Sequence, residues 1–299
     1  MRVIFGASAL GLGVALAACG TASGTAASKT SGAARSKTTA SHISKVIPVS
    51  GGVVSASAPN SGGNMWVLAG SSASKGIFQV STVSGKTLES VSVSNGATGV
   101  AQAPSGLLGI GVDSGNAGSV QFRSGTTGSA VSTVALSGPV VGLASGGNGN
   151  DFYALIRVGQ AESVAVVDPG QGKVIATVPV SSHALAVVPA PGGSDIYVLS
   201  ADGFVDDIVV ASGQVDGHFP VGHSGYALAI TQDGTTLYVL KGQDPARNIA
   251  IVDTATESVR KVIPAAAASV AVQLSQSQNS LFDVVGTAHY GNIQAISLS

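Results

Sequence analysis

From Ile43 onward the apolar residues fall into short β-branched runs separated by turn residues, and the runs recur about every 42 residues. One unit contains Ser163-Val-Ala-Val-Val-Asp168, Lys173-Val-Ile-Ala-Thr-Val-Pro-Val180, Ala184-Leu-Ala-Val-Val188 and Asp195-Ile-Tyr-Val-Leu199. The next repeats it as Phe204 to Val210, Gln214 to Val221, Tyr226 to Ile230 and Thr236 to Leu240. A third has Asn248-Ile-Ala-Ile-Val-Asp253, Val259 to Ile263, Ser269 to Val272 and Ser280 to Val285. Worn copies upstream keep the spacing, in Ile77 to Ser81 with Thr87 to Val93 and in Val120 to Ser124 with Val131 to Leu136. Runs of this length and composition, bounded by turn residues, predict strands.

Gly85, Gly128, Gly172 and Gly213 hold equivalent places between runs, where a hairpin wants a residue tolerant of positive φ. No run beyond residue 19 sustains a 3.6-residue period, so almost no helix is expected. Val164 to Val167, Ala184 to Val188 and Ile249 to Val252 are apolar on both faces, as a strand covered on both sides must be. Four-stranded antiparallel units stacked round an axis meet that demand, so the expected fold is an all-β, six-bladed β-propeller over residues 43–299. The sixth unit stops one strand short. Asn292 to Leu298 matches a third-strand run, and Ile43 to Val49 matches the missing fourth, Arg260-Lys-Val-Ile-Pro-Ala265. The N-terminal strand 43–49 is therefore expected to pair with the C-terminal strand 292–298 and close the ring.

Asp195-Ile-Tyr-Val-Leu199, Thr236-Leu-Tyr-Val-Leu240 and Ile251-Val-Asp-Thr254 resemble the YVTN-type β-propeller repeat, most clearly in the last three units. Met65-Trp-Val-Leu68 and Leu107-Leu-Gly-Ile110 lack its Tyr. The resemblance implies a propeller in an exported or surface protein. Its relatives include lactonase-like enzymes and haem-containing reductases, so it implies little about activity.

The N-terminus reads differently. Met1-Arg2 is followed by an apolar stretch from Val3 to Ala18, too short for a membrane-spanning helix but suited to a secretory signal. Leu16-Ala17-Ala18-Cys19 resembles the lipobox of bacterial lipoproteins, which implies removal of residues 1–18 and lipidation of Cys19. The competing reading is an ordinary signal peptide with a chance Cys. Cys19 is the one Cys of the chain, and it stands where the motif requires it. Residues 19–42, almost all Gly, Ala, Ser, Thr and Lys/Arg, are expected to be a flexible tether. An exported protein, lipid-anchored to a bacterial cell membrane and facing outside the cytoplasm, follows from these features together.

Charge and composition narrow the function classes. The chain is 44% hydrophobic and 10% charged, the reverse of a disordered composition. Arg2, Lys29, Arg35, Lys37 and Lys45 lie within the first 45 residues, where there is no acid, leaving nine of the 14 Lys and Arg against all 15 acids beyond, a charge near −6. That balance gives no basis for nucleic-acid binding. One Cys and five scattered His argue against zinc, iron–sulfur or haem sites, so no metal and no cofactor is expected.

Catalytic motifs are equally missing: there is no Gly-x-Ser-x-Gly elbow, His-Glu-x-x-His or Walker loop. The six expected channel strands contain no Asp, Glu, Lys or Arg, and their conspicuous polar residues are His183, Gln102 and Gln273. Any site must then come from loops. The candidate rim on the face usually open to ligands is Asp113, His183, Asp202, His223, Asp244, Arg247, His289 and Tyr290. Asp206-Asp207 stands inside a strand where sister units have Ala165-Val166 and Ala250-Ile251, which calls for a partner or for a locally exposed edge, the edge being favoured. Trp66 is expected to pack between blades. The leading reading is a monomeric binding or interaction module for an unidentified protein or small molecule. The alternatives are a metal-dependent, lactonase-like hydrolase using Asp113, Asp202 and Asp244, or a redox propeller.

Overall fold

A computed structural model of the chain describes residues 43–147, 149–275 and 277–298. The expected signal peptide, Cys19 and the tether lie outside the described residues. The strands are β1 (Ile43–Ser50), then β2 (Gly52–Ala56), β3 (Asn64–Gly70), β4 (Lys75–Ser81) and β5 (Thr87–Val93). Blade 2 contains β6 (Ala97–Gln102), β7 (Leu107–Asp113), β8 (Gly118–Ser124) and β9 (Ala130–Leu136). Blade 3 contains β10 (Val140–Ser145), β11 (Phe152–Val158), β12 (Ala161–Asp168) and β13 (Lys173–Val180). Blade 4 contains β14 (Ala184–Pro189), β15 (Asp195–Ser200), β16 (Phe204–Val209) and β17 (Gln214–Pro220). Blade 5 contains β18 (Gly225–Ile230), β19 (Thr236–Lys241), β20 (Asn248–Asp253) and β21 (Ser258–Pro264). The last are β22 (Ser269–Leu274), β23 (Ser280–Gly286) and β24 (Tyr290–Ser297).

These strands form six four-stranded antiparallel sheets, and no helix occurs among the described residues. Each of β2, β6, β10, β14, β18 and β22 packs on its two neighbours, closing an inner ring. Blade 6 runs β22-β23-β24-β1, so the two ends of the chain share one sheet. Ile43 pairs with Ile296, Ile47 with Ile293 and Ser50 with Tyr290. The C-terminal strand begins two residues earlier than its sequence pattern suggests, because Tyr290 and Gly291 pair with Ser50 and Val49.

The apolar run on both faces of a strand has a simple geometric cause. Alternate residues point into the interfaces on either side of a blade. In β3, Met65, Val67 and Ala69 pack toward blade 6, while Trp66 and Leu68 pack toward blade 2. In β11, Phe152, Ala154 and Ile156 face blade 2, while Tyr153 and Leu155 face blade 4. Six such clusters fill six interfaces.

Gly85, Gly128, Gly172 and Gly213 all have positive φ in the turns between third and fourth strands. Blade 5 puts Glu257 at the same place with φ 51°. Left-handed backbone costs an L-residue about 1–2 kcal/mol, and at this turn it carries the Glu257 carboxylate toward Gly217 of blade 4.

Candidate functional site

The connections from each fourth strand to the next first strand, and the hairpins between second and third strands, lie at one face of the propeller, here the upper face. Asp113, Asp202, Asp244, Arg247, His289 and Tyr290 come from the hairpins; His183 and His223 come from the connections. All eight rim candidates thus share that face. They do not converge on one point.

Local turn chemistry accounts for most of them. Asp113 Oδ1 accepts the Gly115 amide at 2.7 Å, the Ser200 hydroxyl donates to Asp202, and Asp244 Oδ1 accepts the Ala268 amide at 2.7 Å. His183, with φ 67°, directly precedes β14, and its carbonyl accepts the Ala201 amide at 3.0 Å. Ser224 and Ala268 repeat this conformation and this bond before β18 and β22. His183 is therefore held by a feature of the repeat. His223 Nδ1 lies 3.0 Å from the Asp202 carbonyl oxygen. No group of three or more His, Cys, Asp or Glu among the described residues is arranged to hold a metal ion.

Arg247 is the exception to this dispersal. Its guanidinium lies 4.0 Å from the centroid of Tyr226, its Nε is 3.9 Å from Asp244 Oδ1, and its side chain is 11% exposed. A cation over an aromatic face is stabilised by the ring quadrupole, more so when desolvated. Behind it stands Asp283, a residue that sequence reading passed over. Ser280-Leu-Phe-Asp-Val carries Asp where sister strands have Val198 and Val239, and that break in pattern was the available signal. Asp283 is fully buried, and its Oδ2 accepts the Ala266 amide at 2.8 Å. Burial pushes its carboxyl above the usual range, partly offset by the bonds from Ala266 and Ser269 and by the Arg247 charge. Asp244 and Asp283 together clamp the segment Ala266–Ala268 beside the channel mouth.

The mouth itself is built by a repeated irregularity. Every inner strand carries a register shift near its start, at Val54, the third residue of β2, and at the second residue of the other five, Thr98, Val141, Leu185, Tyr226 and Val270. A bulge leaves one residue unpaired and re-aims its side chain. The six form a collar at the upper end of the channel, with Val54, Leu185 and Tyr226 each more than one-third exposed. Below the collar, polar side chains tie inner strands together. Gln273 Nε2 donates to the Ala56 carbonyl at 2.8 Å across the closing seam, and Ser145 Oγ to the Gln102 carbonyl at 2.8 Å. Gln273 is thus committed to a structural bond, whereas Gln102 is buried with its Oε1 lacking a hydrogen-bond partner.

The Asp206-Asp207 pair is not an exposed strand edge, which corrects the favoured expectation. Asp206 is 5% exposed, faces blade 3, and meets His218 Nδ1 at 2.6 Å and the Ser181 hydroxyl at 2.8 Å. Partners make the buried site tolerable. Asp207 faces the other way, toward blade 5, where Glu257 projects from its left-handed turn into space left by Gly217: a Cβ there would stand 2.2 Å from Glu257 Oε1. Burial first, then the charges of Asp195, Asp216 and Glu257, raise the Asp207 carboxyl from 3.8 to about 6, while a hydrogen bond from Tyr197 pulls it down.

The folded chain thus holds the Asp207 proton more tightly than the unfolded chain. The associated stability is complete below about pH 4 and is lost as pH rises through about 6. Asp207→Asn should therefore raise stability at pH 8 by about 1 kcal/mol, a full shift being discounted for the group's partial exposure. At pH 4 the two proteins should have the same urea midpoint. An equal gain at both pH values would show that the charge on the carboxylate is not the cause.

Neither a protein-family model nor a curated protein matches the chain. Among solved structures, the chain resembles Kuenenia stuttgartiensis Hydrazine Synthase with a TM-score of 0.60 and 14% identity, covering 84% of this chain and 76% of that one. At that identity the likeness is one of fold: this chain is a six-bladed β-propeller with a propeller-like structural neighbour.

Proposed function

We propose that this protein is an exported, lipid-anchored propeller of the YVTN-repeat type that binds a ligand or protein partner at its upper face. The observation that carries the binding reading is the collar. Partly exposed Val54, Leu185 and Tyr226 stand at the centre of a face whose margin carries Asp113, Asp202, His223, Asp244 and His289. An apolar centre inside a polar rim is the arrangement by which binding surfaces exclude water from their strongest contacts. The anchor rests on Leu16-Ala17-Ala18-Cys19 and the tether, and the family reading on the Leu-Tyr-Val strands.

Two measurements test this reading. Cys19→Ala should move the protein from the membrane fraction to the soluble fraction, and mass spectrometry of the parent should find a lipid on an N-terminal Cys19. A membrane-bound Cys19→Ala protein of unchanged mass would defeat the anchor. Crosslinking in intact cells should join a partner to the parent but not to the Val54→Asp, Leu185→Asp double variant, whose changes lie on exposed positions and should leave the melt near the parent's. Equal crosslinking by parent and variant would defeat the collar as the contact.

A further inference from the structure

A second place on the same face has a different chemistry. A cleft of about 500 Å³ opens at the seam between blades 6 and 1. Phe78, the hydroxyl-bearing Ser50, Ser74, Ser90 and Ser92, and His289 are among the residues that line it. These four hydroxyls make no hydrogen bond to the described residues, in contrast to Ser71, which caps its own turn. The lining has no carboxylate. Its one Lys, Lys75, spends its ammonium on the Ala97 carbonyl at 2.6 Å, toward blade 2.

The cleft exists because one repeat position lacks a side chain. Counting back from the hairpin turn, Gly76 stands where the sister blades have Ser119, Ser163, Phe204 and Asn248. A Cβ on Gly76 would lie 3.4 Å from the tip of the Phe78 ring. Blade 4 shows what fills this place when side chains are supplied. There Phe204 stacks on His218, the counterpart of Ser90, with centroids 4.5 Å apart and planes 8° from parallel. The volume falls in the range of small-molecule sites, roughly 300–1,000 Å³.

We propose that the seam cleft is a binding site for a neutral sugar, one to two rings in size, that stacks on Phe78 and hydrogen-bonds the serine hydroxyls. A flat ring with apolar C–H faces and a hydroxyl edge matches an aromatic ring beside unpartnered hydroxyls. The lining has no acid to pair with a cationic ligand, and its one Lys is turned toward the Ala97 carbonyl, so the aromatic ring and the free hydroxyls make up most of what a ligand would meet. The site is separate from the collar.

Calorimetry and saturation-transfer NMR on the full chain, with methyl glucoside, methyl galactoside, N-acetylglucosamine and maltose as probes, test the inference. At least one should bind with Kd on the order of 1 mM or tighter. The double variant Ser90→Val, Ser92→Val, which suits an exposed strand and should melt like the parent, should weaken that binding tenfold or more. Phe78→Leu should weaken it too, while Tyr226→Ala at the collar should leave it unchanged. The proposal falls if no probe binds, if the serine variant binds as the parent does, or if glucuronate or glucose 6-phosphate binds while the neutral sugars do not. Loss of binding in Tyr226→Ala alone would relocate the sugar to the collar.

Discussion

Deleting residues 291–299 should abolish cooperative folding. The cut removes most of β24 with Ile293, Ala295 and Ile296, all buried, and it unpairs β1, whose Ile47 and Val49 fill the blade 6–blade 1 interface. Five buried apolar side chains at about 1.5–3 kcal/mol for each large one amount to a loss on the order of the entire stability of an ordinary protein, about 5–15 kcal/mol. Lys45, whose ammonium bonds the Thr82 and Val83 carbonyls of blade 1, loses its footing at the same time. A circular permutant separates pairing from chain position. If the chain starts at Gly51 and residues 43–50 follow residue 298 through a short turn, every pairing is kept, and the melt should stay near the parent's. Far-ultraviolet circular dichroism against temperature reads both outcomes. A truncated chain that melts with the parent would show that the seam strands are dispensable.

Trp66→Ala should be severely destabilising for a single substitution. Trp66 is wholly buried between blades 1 and 2, against Leu68, Ile77, Leu108 and Ile110. Its indole Nε1 donates to the Gly125 carbonyl at 3.1 Å, and Gln79 Nε2 donates to the same oxygen at 3.1 Å. Large aromatic-to-Ala changes in a core cost about 3–5 kcal/mol. For a domain of this size each kcal/mol lowers Tm by roughly 2–4 °C. Trp66→Phe should cost much less, because the ring volume is largely kept and Gln79 still satisfies the carbonyl. Differential scanning calorimetry of the three proteins gives the order. A Trp66→Ala protein within about 1 kcal/mol of the parent would mean that the interface closes over the gap, contrary to the close packing of protein interiors.

Both effects trace to one property of the fold, that each blade is half of two cores. A blade loses its own packing and its neighbour's when a strand is removed. Asp207 belongs to the same logic. Its carboxylate faces an interface, and its proton affinity is set by Glu257 from the next blade as well as by its own Asp195 and Asp216.

The number of blades, their four-strand order and the sharing of blade 6 between the chain ends were legible from the amino-acid order alone. Those features depend on local propensity and on a repeat period, and Ile43 to Val49 carries the fourth-strand pattern wherever it sits in the chain. Trp66 was legible as core for the same reason, being a large apolar residue on a strand apolar on both faces. What the tertiary structure alone decided depends on residues far apart in sequence meeting across an interface. The exposed edge expected for Asp206 gave way to burial because His218 and Ser181, from another strand and another blade, supply its hydrogen bonds. The rim residues proved to share a face without converging, since Asp113, Asp202 and His183 are held by turns or connections of their own repeats, and Asp244 by the connection to the next blade. The collar needed the bulges, which arise from how each inner strand pairs with its neighbour. The seam cleft needed Gly76, Phe78 and Ser90 to be placed opposite the closing strand. A glycine read along the chain is an absent side chain; only the packing of blade 6 against blade 1 turns that absence into a volume.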